Sequence, residues 1–127
     1  MKKPLALLLA FVMCLSISSG IASAADEAEP YKVGVVIPLS GNFAFFSAYF
    51  SPILDIYANE VNENGGINGH PLELVYKDNQ GDPTITAQRL DELLEENVCA
   101  VVGPFMDTCG SAAAQWASEN KIPVVMC

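Results

Sequence analysis

The pattern of hydrophobic and polar positions along the chain predicts four strands that alternate with three helices. Residues 32–39 (KVGVVIPL) are apolar with little alternation, as is typical of a strand buried on both faces of a sheet, and residues 98–103 (VCAVVG) share this pattern. Residues 71–78 (PLELVYKD) alternate apolar and polar side chains, which favours a strand nearer the sheet edge. Residues 122–127 (IPVVMC) form the fourth predicted strand.

The first predicted helix lies between the first two strands. Its apolar residues recur at steps of three and four, as expected for one buried helix face: Ile53, Leu54, Tyr57 and Val61. Either Ser51 caps a helix that has Pro52 at its first position, or the helix begins earlier and Pro52 disturbs it locally. We favour the early start. The segment Asn64-Gly65-Gly66 ends the helix, because glycine accepts the left-handed backbone conformation without strain.

The second predicted helix begins at an Asp-Pro pair. Asp82 is a favourable N-cap, and Pro83 suits the first helical position. The buried stripe of this helix is expected to consist of Ala87, Leu90, Leu93 and Leu94, and its solvated face of Asp91, Glu92, Glu95 and Glu96. Residues 111–120 (SAAAQWASEN) predict a third helix of small residues, in which Trp116 packs against the domain.

The order of these elements is βαβαβαβ, which places the fold in the α/β class. Strands that alternate with helices form a parallel sheet through right-handed crossovers, with helices on both faces. In such sheets ligands bind at the carboxyl ends of the strands. The segments expected at that edge are residues 38–46 (PLSGNFAFF), 77–83 (KDNQGDP), 103–110 (GPFMDTCG) and the terminal pair 126–127.

The N-terminus of the 127-residue chain has the features of a secretory signal peptide. Lys2 and Lys3 precede an apolar run at residues 5–17, and Ala22-Ser23-Ala24 supplies the small residues of a cleavage site. We therefore assign residues 1–24 to a signal peptide, 25–31 to a linker and 32–127 to the domain. A membrane anchor is disfavoured because the run is shorter than the roughly 20 residues of a span. Lipidation at Cys14 is disfavoured because Met13 precedes it.

The charge of the chain changes when the signal peptide is removed. The segment contains two of the six basic residues and none of the 15 acidic residues, so the mature chain has a net charge of −11. Such an acidic surface argues against nucleic acid as a partner, since phosphates require Lys and Arg. The charge suits a soluble, exported protein. The signal peptide would direct this protein to the periplasm or extracytoplasmic space.

Three of the four cysteines remain after cleavage, namely Cys99, Cys109 and Cys127. The compartment is oxidising, so one of them stays free or pairs outside this chain, and the sequence leaves the pairing open. Their spacing is unlike that of a zinc site. Cys99 lies within an apolar run, so we expect it to be a buried small hydrophobe.

Several motifs, taken in order, resemble the type I solute-binding proteins of the branched-chain amino-acid (Leu/Ile/Val) transport family. Residues 33–46 (VGVVIPLSGNFAFF) are similar to the first strand of the family and its Ser-Gly loop. Residues 62–83 (NENGGINGHPLELVYKDNQGDP) carry the most specific match, with the Gly-Gly-Ile-x-Gly turn and the Asp-Pro helix start. Residues 98–105 (VCAVVGPF) and 119–125 (ENKIPVV) resemble the third and fourth strands.

This resemblance implies two α/β lobes that close over a small solute and deliver it to the membrane permease of an ABC importer. Residues 32–127 would then be part of the first lobe, and the chain a fragment of a longer protein. The expected solute is an amino acid or a related small polar compound such as an amide. The alternative is the ligand-sensing extracellular domain of a signalling receptor with the same fold. Neither function requires a cofactor or a metal.

The resemblance also indicates the residues that would contact the solute. The loop after the third strand meets the carboxylate of the ligand in this family, where helix N–H groups and the helix dipole favour an anion. Asp107 stands at the position of the usual serine, with Thr108 beside it. Phe46 stands where an aromatic residue covers the side chain of the ligand, and Ser40 matches the first loop. Met126 and Cys127 replace the usual Ser-Pro.

Asp107 has two interpretations. It caps the third helix, with its carboxylate held by the amides of Cys109 or Gly110. Alternatively, it faces the cleft and selects an ammonium, amide or polyol group, because a carboxylate there would repel a ligand carboxylate. If the alignment is shifted by one residue, Thr108 supplies the hydroxyl.

The remaining polar residues do not suggest catalysis. Asp78 and Asp82 lack the ligand spacing of a calcium loop and are explained by a turn and a helix cap. His70, the single histidine, follows an Asn-Gly turn far from the predicted loops, so no Ser/His/Asp or Cys/His group can form. We therefore expect a binding protein and not an enzyme, without catalytic or metal-binding residues.

Overall fold

The computed structural model describes residues 28–126, so the predicted signal peptide and Cys127 lie outside the described residues. The strands are β1 (Tyr31–Ile37), β2 (Leu72–Asp78), β3 (Ala100–Val102) and β4 (Val124–Val125). The helices are α1 (Ala44–Glu63), α2 (Pro83–Glu95) and α3 (Asp107–Asn120). The predicted order βαβαβαβ is confirmed.

The four strands form one parallel sheet in the order β2-β1-β3-β4. β2 is an edge strand, as its alternating pattern predicted. The chain moves outward from β1 to β2 and then returns past β1 to β3 and β4. Right-handed crossovers therefore place α1 on one face of the sheet and α2 with α3 on the other, where those two helices contact each other.

The hydrophobic core lies between the sheet and the face formed by α2 and α3. It consists of Val36, Leu90, Leu93, Val98, Val101, Ala113 and Trp116. Leu94 was predicted to belong to the buried stripe of α2 but is 41% exposed. Thr86 is buried instead, one helical turn before Leu90, and its hydroxyl accepts a hydrogen bond of 3.0 Å from the amide of buried Asn79. The predicted burial of Leu90 and Leu93 is thus confirmed, and Thr86 completes the buried stripe in place of Leu94.

Gly34 allows α2 to pack closely on β1. A Cβ atom at this position would lie 2.4 Å from Cδ1 of Leu93, which is fully buried. The contact leaves no space for an alanine side chain unless Leu93 moves, and close-packed cores resist such movement.

Helix α1 starts early and contains Pro52, as favoured from the sequence. Proline lacks an N–H, so the carbonyl one turn earlier loses its usual donor. Tyr76 of β2 is hydrogen-bonded to this part of the helix. Its hydroxyl lies 2.7 Å from Oδ1 of Asp55 and 3.2 Å from the carbonyl oxygen of Ser51. Burial and the neighbouring Asp55 carboxylate raise the pKa of Tyr76, so it remains a protonated donor.

The ends of the first two helices also follow the sequence. Helix α1 closes through backbone bonds from Gly65 and Gly66 to the carbonyls of Asn62 and Val61. At the start of α2, Oδ1 of Asp82 accepts hydrogen bonds from the N–H groups of Thr84 (2.7 Å) and Ile85 (2.9 Å). The predicted N-cap at Asp82 is confirmed.

The carboxylate of Asp78 joins the loops that follow β1 and β2. Its Oδ1 accepts hydrogen bonds from the backbone N–H groups of Leu39 (2.8 Å), Ser40 (3.2 Å) and Gln80 (2.9 Å). The hydroxyl of Ser40 donates to its Oδ2 at 2.5 Å. Partial burial raises the pKa of Asp78, but these hydrogen bonds together outweigh it and the net pKa is lowered. The carboxylate thus fixes the first loop of the candidate edge.

Cys99 is a correction to the sequence analysis. It lies just before β3 and is exposed, with its Sγ 3.3 Å from the carbonyl oxygen of Lys32. The regular strand begins only at Ala100, so the apolar run 98–103 is longer than the strand. Cys109, by contrast, is fully buried in the first turn of α3.

We predict that Gly34→Ala lowers the free energy of unfolding by about 1–3 kcal/mol, because the added methyl overpacks the contact with Leu93. Urea unfolding of the full-length protein measures the change. Gly110→Ala is the matched control, since its Cβ would lie 3.3 Å from Sδ of the half-exposed Met126. This helix substitution should be neutral or stabilising by up to about 1 kcal/mol. Equal stability of Gly34→Ala and wild type would contradict the close packing of Leu93 on Gly34.

We predict that Asp78→Asn lowers the free energy of unfolding by about 1 kcal/mol at neutral pH, since charge-assisted hydrogen bonds are lost at a partly exposed site. The lowered pKa means that this stabilisation is complete above the ordinary carboxyl pKa of about 4. It is lost as the pH falls through the lower folded-state value. The difference between wild type and variant should therefore shrink below about pH 4 in urea unfolding.

Glu73→Gln is the control for Asp78→Asn, because Glu73 is an exposed carboxylate on the same strand. This variant should match the wild type at neutral pH within about 0.5 kcal/mol. If both variants lose the same stability, the hydrogen bonds of Asp78 do not account for the effect.

Candidate functional site

The candidate site is an apolar pocket at the carboxyl ends of β1 and β3. It has a volume of about 190 Å³ and is lined by Pro38, Phe46, Phe50, Phe105 and Met106. The chain leaves β1 toward one face of the sheet and β3 toward the other, so this edge is the topological switch point of the sheet. A crevice at such a point is where open α/β sheets bind ligands.

The first wall of the pocket comes from the beginning of α1. Phe46 and Phe50 are one helical turn apart and therefore share a face of this helix. The hydroxyl of buried Ser47 donates to the carbonyl oxygen of Pro38 at 2.8 Å, which holds the first turn of α1 against the end of β1. The predicted site residue Phe46 lies in the pocket and remains 40% exposed.

The second wall is the loop between β3 and α3. The first residue of this loop must be glycine. Gly103 has a φ of +95°, and a Cβ atom there would lie 2.3 Å from the carbonyl oxygen of Val36. Phe105 then packs against Phe50, with ring centroids 4.8 Å apart and planes tilted by 38°. The two walls thus touch through an aromatic pair.

Met106, and not Asp107, is the N-cap of α3. The N–H groups of Cys109 (2.9 Å) and Gly110 (3.0 Å) donate to the backbone carbonyl of Met106, so the interpretation of Asp107 as the cap is wrong. Asp107 is the first residue of the helix and is exposed, as is Thr108. A carboxylate in the first turn is still favoured by the helix dipole.

Ser40 lies on the loop after β1, two residues beyond the pocket residue Pro38. Its hydroxyl hydrogen and its backbone N–H are both directed to Asp78. The oxygen lone pairs of Ser40 are therefore what this side chain can offer to a ligand. Of the predicted site residues, Phe46 lines the pocket, Asp107 and Thr108 begin the helix that follows the second wall, and Ser40 lies on the loop after β1 outside the lining.

Sequence reasoning did not include Phe50, Phe105 and Met106 in the site. The four-residue spacing between Phe46 and Phe50 could have indicated a shared helix face. Phe105 and Met106 lie on the loop that the resemblance assigns to ligand contact, but only the polar residues Asp107 and Thr108 were predicted to make that contact.

A larger depression of about 490 Å³ lies at the opposite end of the sheet, beside the starts of β1 and β2. It is lined by Glu29, Pro30, Lys32, Glu73, Glu96 and Asn97. We do not assign the site to this surface, since it lies at the amino ends of the strands. Among residues 28–126 there is no group of three or more side chains suited to a metal ion. Within that range no helix is long and apolar enough to cross a membrane.

Comparison with known proteins shows the family to which the chain is related. The family model described as periplasmic binding protein matches residues 30–127. A chemotactic signal transduction system substrate-binding protein, BasB of Halobacterium salinarum, is 32% identical over 72% of this chain and 23% of its own length. A Leu/Ile/Val-binding protein homolog of Brucella suis is 28% identical over 88% of this chain and 28% of its own length.

Solved structures show the same architecture. LivJ of Streptococcus pneumoniae, a branched-chain amino-acid transporter substrate-binding protein in complex with isoleucine, has a TM-score of 0.73 at 28% identity. The comparison covers 77% of this chain and 28% of that protein. A leucine-binding protein, LivK of Thermotoga maritima, has a TM-score of 0.67 at 27% identity, over 75% of this chain and 27% of its own.

The chain spans about a quarter of the length of these relatives. The named proteins are substrate-binding proteins, in agreement with the expectation of a binding protein and not an enzyme. The α/β fold with a parallel sheet, the aromatic pocket at its switch point and the match over residues 30–127 lead to one assignment. The chain belongs to the periplasmic binding protein family.

Proposed function

We propose that the full-length protein is the extracytoplasmic solute-binding component of an ABC importer. Its solute is an amino acid or a related small polar compound. The observation that carries the proposal is the pocket at the switch point of the sheet, with exposed Asp107 and Thr108 directly after one of its walls. The names of the Brucella and Streptococcus relatives support the branched-chain amino-acid transport type.

The pocket and the start of α3 would recognise different parts of the solute. The apolar walls accept the hydrophobic part of the solute, and Phe46 covers it. Asp107 adds a negative charge where backbone N–H groups of a helix start would otherwise favour an anion. An ammonium or amide group of the solute therefore fits beside Asp107 better than a carboxylate does. Thr108 can donate or accept a hydrogen bond there, and Ser40 can accept one.

The proposed mechanism is non-covalent. This half of the site faces outward, so a second lobe in the full-length protein would close over the bound solute. The solute stabilises the closed state, and the permease recognises that state. Residues 1–24 act as the signal peptide that directs export, followed by the linker 25–31 and the first part of the N-terminal lobe at 32–127.

A second function is ligand sensing by a receptor-coupled protein with the same fold. The similarity to BasB, which is named as part of a chemotactic signal transduction system, favours it. Genetics separates the two functions in the source organism. Loss of the gene should abolish uptake of the radiolabelled solute if the protein serves an importer. Normal uptake with a lost behavioural or transcriptional response to the solute would support sensing.

We predict that Asp107→Ser changes ligand preference in the full-length protein. Loss of a charged hydrogen-bond acceptor should weaken binding of a solute with an ammonium or amide group by about tenfold. Solutes that place a carboxylate at this point should gain affinity, because the repulsion is removed. A thermal-shift screen of amino acids, amides, urea and polyols identifies the solutes, and calorimetry then measures each affinity.

Glu119→Ser is the matched control, because it removes a carboxylate from the other end of the same helix. It should leave all affinities within about twofold. Thr108→Ala tests the alternative in which Thr108 supplies the hydroxyl. Unchanged affinity of Asp107→Ser for every solute would exclude Asp107 from the site, and failure of the folded protein to bind any solute would contradict the proposed function.

A further inference from the structure

Three of the five residues that line the apolar pocket at the carboxyl ends of β1 and β3 are phenylalanines. Phe46 and Phe50 come from α1, and Phe105 comes from the loop after β3. Pro38 and Met106 complete the lining. A pocket for a branched aliphatic group does not require aromatic walls, since such a group gains only from burial. The three phenylalanines therefore indicate the shape and electronic character of the solute.

The geometry of the walls suits a flat guest. The rings of Phe50 and Phe105 are tilted by 38° at a centroid separation of 4.8 Å, which is within the range of favourable aromatic pairs. A third ring can join such a pair edge-to-face or in an offset stack. Met106 also lines the pocket, and a methionine sulfur can make a favourable contact with a ring edge.

The volume of the pocket matches a guest with one ring. A dry apolar cavity of about 150 Å³ accommodates benzene. The pocket here has about 190 Å³, which leaves little more than one substituent beyond a six-membered ring. A branched group of four or five carbons also fits by volume, so the aromatic walls decide between the two shapes.

We propose that the solute carries a single six-membered aromatic ring, which is seated against Phe46 and the packed pair of Phe50 and Phe105. This inference rests on the proposed function, since it names the class of solute that the same site captures. Phe50 and Phe105 are then specificity-determining residues. They prefer the ring over an aliphatic group of similar volume, independently of the polar group that the solute presents beside Asp107.

Calorimetry of the full-length protein with matched pairs of ligands tests the proposal. Each pair shares a polar group and a six-carbon ring that is either aromatic or saturated: phenylalanine with cyclohexylalanine, phenethylamine with 2-cyclohexylethylamine, and benzamide with cyclohexanecarboxamide. In every pair that binds, the aromatic member should bind about three- to tenfold more tightly, as expected for added aromatic contacts.

Variants then connect this preference to the pocket. Phe105→Leu and, separately, Phe50→Leu should weaken binding of the aromatic member and bring the ratio within each pair close to one. Tyr49→Leu is the matched control, because Tyr49 is a 73% exposed aromatic residue of α1 that does not line the pocket. It should leave the ratio unchanged. Thermal unfolding confirms that each variant is folded.

The outcomes separate this inference from the proposed function. An aliphatic member that binds as tightly as its aromatic partner overturns the inference and leaves solute capture intact. The same holds if only wholly polar solutes, such as urea or a polyol, bind in the thermal-shift screen. A preference for the ring that survives both phenylalanine substitutions also overturns it, because the pocket would not be its source. If no solute of any kind binds, both fail.

Discussion

The structure depends on the burial of the carboxyl-terminal half of strand β1, residues 34–37. Val35, Val36 and Ile37 are inaccessible to solvent, because β1 is hydrogen-bonded to β2 and β3 and covered on both faces. The neighbouring Gly34 brings α2 close enough for Leu93 to fill the core. This burial fixes where β1 ends, and the loop that follows must begin at the switch point of the sheet. The position of the candidate site is thus a consequence of packing.

Polar contacts then shape this edge without closing it. The carboxylate of Asp78 holds the loop after β1, and Ser47 holds the start of α1. These contacts use the donors that a ligand anion could otherwise engage on the first loop. The second loop differs, because Met106 is the N-cap of α3 and the carboxylate of Asp107, the first helical residue, is exposed. The loop after β1 is held by contacts within the protein, whereas the start of α3 is available to a solute.

The sequence predicted the order of elements, the edge position of β2 and the cap at Asp82, because each depends on local pattern or backbone chemistry. It predicted the burial of Leu94 and Cys99 wrongly, since exposure depends on how a helix is rotated and where a strand begins. The role of Asp107 shows the same limit. A backbone carbonyl competes for the amides of Cys109 and Gly110, and residue type alone does not reveal that competition. The pocket joins residues about 60 positions apart in the chain, so only the fold brings Phe50 and Phe105 into contact.

If this edge of the sheet binds a small solute, the backbone amide chemical shifts of the full-length protein should report it during titration with the solute that most raises its melting temperature. We expect saturable changes at residues 39–50 and 103–110, which comprise the two loops and the first turns of α1 and α3. Residues 65–71, at the amino end of β2, should change little. Changes confined to residues 65–71, with none at the two loops, would show that the solute does not bind at this edge.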